Sequence, residues 1–222
     1  MAAGHEISGA SSHAVDDAEV ARHTRLRAVA ARRFELSMDA PARFFESNAD
    51  AVSEACLAMA RRFQRGGRLI VFGEGAGATD AQHVAVEFVH PVIVGKRALP
   101  SIALTSDVAS MTAQRGAADS SFAAMLQTLG RPEDIALGIA CGAESRSVAD
   151  GLARARAMDM LTIAIRQEMG GVKPDGAEHV FLVPGPDAMV AQEVSETLYH
   201  VLWELVHLFM EHGVSDARGG VA

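Results

Sequence analysis

The apolar run Leu69-Ile70-Val71-Phe72 passes directly into Gly73-Glu74-Gly75-Ala76-Gly77 and then into TDAQHVAVEFVH, Thr79 to His90. A short continuous apolar run, a glycine turn and a helical pattern read as a strand buried on both faces that feeds a helix. Gly73, Gly75 and Gly77 permit positive φ and close backbone approach to a ligand. The helix puts His83 and Glu87 on one face, at i and i+4, and His90 follows His83 by about two turns. A ligand-cradling turn that leads into a helix bearing His beside Glu has the makings of a reaction site.

The rest of the chain alternates in the same way. Strand patterns fall at Leu69 to Phe72, Leu99 to Thr105, Ile135 to Ile139, Leu161 to Ile165 and Val180 to Val183. Helical patterns fall between most of them, at Thr79 to His90, Ser120 to Leu129 and Ser145 to Met158. Such alternation predicts an α/β fold with a parallel sheet covered on both faces. Ligands in these sheets bind at the carboxyl ends of strands, near a topological switch point. The turns at Gly73 and at Ala140-Cys141-Gly142 are therefore the candidate walls of one pocket.

A helical preface precedes the first strand. One helix is expected from Asp16 to about Leu36, with Leu26, Val29, Ala30 and Phe34 on one side, and Pro41 is expected to break it. Asn48 is a candidate N-cap for a second helix striped by Val52, Cys56, Met59 and Phe63, closed at Gly66-Gly67. A last helix, Ala188 to His212, has Val194, Leu198, Val201, Leu205, Leu208 and Phe209 as its expected buried stripe. Gln192, Glu196, Trp203 and His207 share the opposite sector, with His200 beside them. Tyr199, Trp203 and Val206 there point to a second buried surface, against another subunit. The expected organisation is a flexible tail over 1–16, one domain over 17–215 and a flexible tail over 216–222.

Composition narrows the function. Hydrophobic residues make up 49% of 222, but aromatics only 5%, so Ala, Val and Leu must fill the core. A net charge of −8 argues against nucleic acid as a partner, which needs clustered Lys and Arg. No apolar run reaches the roughly 20 residues of a membrane span, and no secretory-type start is evident. Cys56 and Cys141 lie far apart without CxxC spacing, which leaves no disulfide framework or zinc knuckle and fits a reducing cytoplasm.

The combination of the glycine turn, D-A-x-H-x-x-x-E (Asp80, Ala81, His83, Glu87), the alternation after it, and Q-E-x-x-x-x-x-x-H (Gln192, Glu193, His200) resembles the SIS (sugar isomerase) domain. Within it, the chain is most similar to the phosphoheptose isomerase (sedoheptulose 7-phosphate isomerase) branch, over about residues 40–212. The resemblance implies a three-layer α/β/α sandwich around a five-stranded parallel sheet, assembled as a homotetramer or dimer. It also implies a ketose-to-aldose conversion through an enediol, with Glu87 as base and His200 as acid. A divalent metal, zinc first, would sit on residues matching His83, Glu87, Gln192 and His200. The chemistry is coherent: a carboxylate moves a proton between carbons while an imidazole serves the oxygen, or a Lewis acid stabilises the enediolate. His90, Glu196 and His207 are spare ligands near the same faces.

The turns depart from that pattern. Where the family reads G-N-G-G-S, this chain has Gly73-Glu74-Gly75-Ala76-Gly77, so a carboxylate replaces an amide and glycine replaces a serine. Where the family reads S-T-S-G-N-S, it has Ala140-Cys141-Gly142-Ala143-Glu144-Ser145, leaving one hydroxyl. The family's N-D-F-G-F has no counterpart near Gln114-Arg115-Gly116, and Met189 stands where the family has an aspartate. Gly73, Glu74, Gly75, Gly77, Thr79, Cys141, Glu144 and Ser145 are the candidate ligand-binding turn residues. Glu74 and Glu144 would repel a phosphate dianion, and Thr79, Arg146 and Ser147 are the available compensators.

Bland alternatives stand beside each of these. His83 with Glu87 could be an exposed i,i+4 pair, Gln192 and His200 could be polar interface residues, and Cys141 a small inert cysteine. Two functions follow. One is a divergent metal-assisted isomerase acting on a small polar carbonyl or sugar-like ligand without a phosphate. The other is a non-catalytic SIS protein that senses a ligand or docks a protein.

Overall fold

The computed structural model describes residues 10–113, 121–140, 145–168 and 176–213. They fall into two compact units, Met1–Asp39 and Ala40–Ala222. Helix α1 runs Ala10–Gln64 with Pro41 inside it, so the expected break does not occur, and the helix starts within the stretch read as a tail. Proline removes one i→i−4 bond, and burial outweighs that loss here: Ala40, Phe44, Val52, Cys56 and Met59 are all buried. Asn48 is accordingly no N-cap; its amide donates to the Phe44 carbonyl at 2.8 Å in mid-helix. Burial pushes the Cys56 thiol up to about 12, which leaves it unreactive.

Five strands form one parallel sheet: β1 Leu69–Glu74, β2 Ser101–Ala103, β3 Ile135–Ala140, β4 Leu161–Gln167 and β5 His179–Val183. Their order is β2-β1-β3-β4-β5, so the sheet winds one way from β1 and the other way from β3. The central strands are buried almost throughout, the pattern that continuous apolar runs produce when helices cover both faces. β2 is shorter than expected because it pairs only with β1; past that register the chain turns into a 3-10 helix, Leu104–Ser106.

Between the strands lie α2 Ala76–Val89, α3 Val108–Ala113, α4 Ser121–Leu129 and α5 Arg146–Ala157, and α6 Ala188–His212 closes the described chain. Ile70, Phe72, Ala136 and Ala164 meet Phe122, Leu126, Val148 and Leu152 of α4 and α5 on one face. The other face carries α2 and α6 side by side. At the amino ends, buried Asp134 accepts from the Arg68 amide at 2.8 Å and from its guanidinium at 2.7 Å, which raises Arg68 above its ordinary value and pins β1 to β3. No helix among the described residues is long and apolar enough to cross a membrane.

The periodicity gives the bounds of α6, but its rotation differs from the expected one. The buried side chains are Val190, Val194, Leu198, Tyr199, Leu202, Trp203, Val206 and His207, whereas Leu208 is exposed. The helix is apolar on most sides, so periodicity alone could not fix its phase. Tyr199, Trp203 and Val206 are thus covered within this chain and need no second subunit to bury them.

At the carboxyl ends, Glu74 of β1 pairs with Ala140 of β3 across the switch point. Gly75, the residue before α2, has φ 58°. A Cβ on Gly77 would lie 2.5 Å from the Ile139 carbonyl oxygen, and one on Gly73 would strike the Gly77 carbonyl. These two glycines therefore allow the close seating of the first turn of α2 on β3. Gly77→Ala is expected to cost about 1–3 kcal/mol in urea unfolding, because a backbone oxygen cannot give way as a flexible side chain can.

Candidate active site

α2 and α6 together bring His83, Glu87 and His200 to one point. Glu87 Oε1 lies 3.2 Å from His83 Nε2 and 3.2 Å from His200 Nε2. The two imidazoles sit 5.3 Å apart, centroid to centroid, at 73°. The Glu87 side chain is 14% exposed and that of His200 43%, so the carboxylate is walled in while one imidazole faces solvent. Beside them opens a hollow of about 390 Å³ lined by Glu87, Val92, Ile93, His200, Trp203 and Glu204.

This set has the dimensions of a metal centre. One ligand atom from each of His83, Glu87 and His200 lies within 4.8 Å of the others, and theirs is the one such group among the described residues. Bonds of about 2.0–2.1 Å to a tetrahedral ion put ligand atoms about 3.3 Å apart, close to the two 3.2 Å separations. Two imidazoles and a carboxylate suit a borderline divalent ion with an open position. Gln192, on α6, is held from α2: its amide nitrogen donates to Asp80 Oδ1 at 2.9 Å. That bond fixes which end of the carboxamide is nitrogen and leaves the oxygen as the outward acceptor.

Of the three spare ligands, two are placed elsewhere and Glu196 stays beside the cluster. His207 is buried, with Nδ1 at 2.7 Å from the Trp203 carbonyl and Nε2 at 2.9 Å from that of Arg97, so it belongs to the packing of α6. His90 caps the end of α2, outside the cluster. Glu196 Oε1 comes within 3.7 Å of His83 Nδ1. Two residues that the sequence reading left without a role stand directly behind the cluster. The Tyr199 hydroxyl is 2.9 Å from His83 Nδ1, and the Trp203 indole N–H donates to the Glu87 carbonyl at 3.0 Å. Their adjacency to His200 was visible in the sequence, but it read as an intersubunit surface.

On the turn side, Glu74 and Ser145 meet. The Ser145 hydroxyl donates to Glu74 Oε2 at 2.5 Å and accepts from the Val148 amide at 3.2 Å as the N-cap of α5. The one proton of the one hydroxyl left in this turn is thereby committed to Glu74. Thr79 Oγ1 donates back to the Ala76 carbonyl at 2.6 Å, and Arg146 Nε lies 3.8 Å from Asp150. Arg166 of β4 lines a small hollow beside Ser145. Cys141 and Glu144, like Gln114-Arg115-Gly116, lie outside the described residues.

Comparison with known proteins agrees with this arrangement. Residues 35–166 match the SIS domain family model. The chain is 34% identical over 177 residues to a phosphoheptose isomerase of Thermodesulfovibrio yellowstonii, covering 79% of this chain and 88% of that one. It is 38% identical over 186 residues to a phosphoheptose isomerase of Chlorobium phaeobacteroides, covering 80% and 82%. The solved phosphoheptose isomerase of Neisseria gonorrhoeae superposes with a TM-score of 0.72 at 26% identity, over 82% of this chain and 98% of its own. With a five-stranded parallel sheet, paired site helices and relatives of this similarity, the chain belongs to the SIS-domain family, in its phosphoheptose isomerase branch.

Proposed function

We propose that this protein is a metal-assisted aldose–ketose-type isomerase whose substrate is a small polyhydroxy carbonyl compound without a phosphate. The observation that carries the reading is the convergence of His83 and His200 on one oxygen of Glu87, at 3.2 Å each. Glu87 Oε2 takes part in neither contact. It is the atom we assign to lifting the proton from the carbon next to the carbonyl and returning it to the neighbouring carbon. His200, the more solvent-facing imidazole, has one of two roles at a time: the acid that gives a proton to the carbonyl oxygen and takes one from the adjacent hydroxyl, or a ligand of the ion. His83, Glu87 Oε1, His200 and the Gln192 oxygen would hold the ion, with zinc the best match to two nitrogens and two oxygens. When bound, such an ion stabilises the enediolate oxygens as a Lewis acid.

The substrate assignment rests on the turn. Relatives are named as phosphoheptose isomerases, whereas here Glu74 holds the hydroxyl of Ser145. A like charge about 4 Å away costs a dianion about 2 kcal/mol in water and about 8 kcal/mol at an effective dielectric of 20. Affinity for a phosphate should fall by roughly thirtyfold even at the lower of those limits. We also propose a homo-oligomer, because Leu26 (56% exposed), Val29 and Phe34 (66%) leave one side of the N-terminal unit apolar and uncovered.

Three measurements test this reading. Protein purified without an affinity tag should carry about one zinc per chain by elemental analysis, and His83→Ala should lose it; a metal-free wild type would support the sensing or docking alternative instead. Unphosphorylated ketoses and aldoses should raise the melting temperature more than sedoheptulose 7-phosphate does, and Glu74→Asn should tighten phosphorylated ligands by roughly tenfold or more. Strong stabilisation of the wild type by the phosphate alone would reject the substrate assignment. Light scattering should give a mass of two or four chains, reduced by Phe34→Asp; a monomeric wild type would reject the assembly.

A further inference from the structure

We infer that Tyr199 is a positioning residue for His83: its hydroxyl bonds Nδ1 and holds the ring whichever nitrogen carries the proton, while Glu87 sets the metal-free tautomer. The consequence for the ion rests on the metal reading above, whereas the tautomer itself does not. Tyr199 is 1% exposed, and its hydroxyl stands 2.9 Å from His83 Nδ1. The two rings meet edge-on, 5.3 Å apart at 73°, so the phenol also fixes the plane of the imidazole. The other ring nitrogen, Nε2, faces Glu87 Oε1 at 3.2 Å.

A neutral imidazole has one N–H, and an ionised carboxylate can only accept. With Glu87 as partner the proton therefore belongs on Nε2. Nδ1 is then a bare lone pair, and Tyr199 must donate to it. When Nε2 gives its lone pair to an ion instead, the proton must move to Nδ1, and the phenol oxygen must then accept. A hydroxyl can rotate to do either. The partners usual behind a metal-binding histidine, carboxylate or carbonyl, serve only the second state. Glu196, 3.7 Å from the same Nδ1 and half exposed, is such a group, and it is too far for a hydrogen bond. Tyr199 thus holds the ring in one orientation in both states, and loading an ion requires only a proton shift and a hydroxyl rotation.

The test is nitrogen-15 NMR of histidine-labelled protein at about pH 8.5, where an unperturbed imidazole is neutral. The His83 signals are identified by their loss in His83→Gln. In metal-free wild type His83 should be the Nε2–H tautomer with Nδ1 accepting a hydrogen bond; in Tyr199→Phe the Nδ1 hydrogen-bond shift should vanish. Zinc added to wild type should convert His83 to Nδ1–H, and competition with a chromophoric chelator should show about 10- to 100-fold weaker zinc binding in Tyr199→Phe. A wild type already in the Nδ1–H form without metal would overturn the inference, and that reading needs no variant to fold. A folded Tyr199→Phe with an unchanged His83 spectrum would overturn it equally. A wild type that takes up no zinc yet shows the Tyr199-dependent Nδ1 hydrogen bond would uphold it and remove only the metal reading.

Discussion

α6 is held to α2 at the point where chemistry is expected, through two buried side chains. The Trp203 indole donates to the Glu87 carbonyl, and the Tyr199 phenol reaches His83. Both donors are buried, where an unmade hydrogen bond costs far more than a made one gains. The seam between the helices is therefore fixed in register as well as in distance. Glu87 benefits twice, since its backbone is anchored by Trp203 while its carboxylate meets both imidazoles. Gln192 is set by the same logic, with Asp80 one turn before His83 gripping its amide.

A second constraint acts from the sheet. The first turn of α2 lies so close to β3 that Gly77 has no room for a side chain. That seating aims α2 from the switch point between β1 and β3, and so decides where His83 and Glu87 arrive. It also brings Glu74 to the start of α5, where Ser145 meets it. The helix start that would otherwise attract an anion has a carboxylate on its capping hydroxyl. The family's scaffold thus carries the His83, Glu87 and His200 cluster on one pair of helices and a carboxylate beside the cap of α5.

Much of this was legible in the chain. Fully buried strands such as Ile135–Ala140 announce themselves as apolar runs, and the bounds of α6 follow from its periodicity. Pro41 and Asn48 misled because both are local signals, and the burial of Phe44 and its neighbours overrides local preference. The rotation of α6 was not legible, because a helix apolar on most sides has no single hydrophobic stripe. For the same reason His207 resembled a ligand until its two ring nitrogens were found facing backbone carbonyls.

Alone, the sequence determined the parallel sheet, the glycine turn and the i,i+4 pairing of His83 with Glu87, since these depend on residues near one another in the chain. It also determined that the turns carry two acids, Glu74 and Glu144. Only the tertiary structure decided that His200 shares an oxygen of Glu87, that Tyr199 stands behind His83, and that Glu74 holds Ser145. Those contacts join residues 71 to 116 positions apart. Whether such side chains meet depends on the rotation of one packed helix against another, which packing sets and local pattern does not.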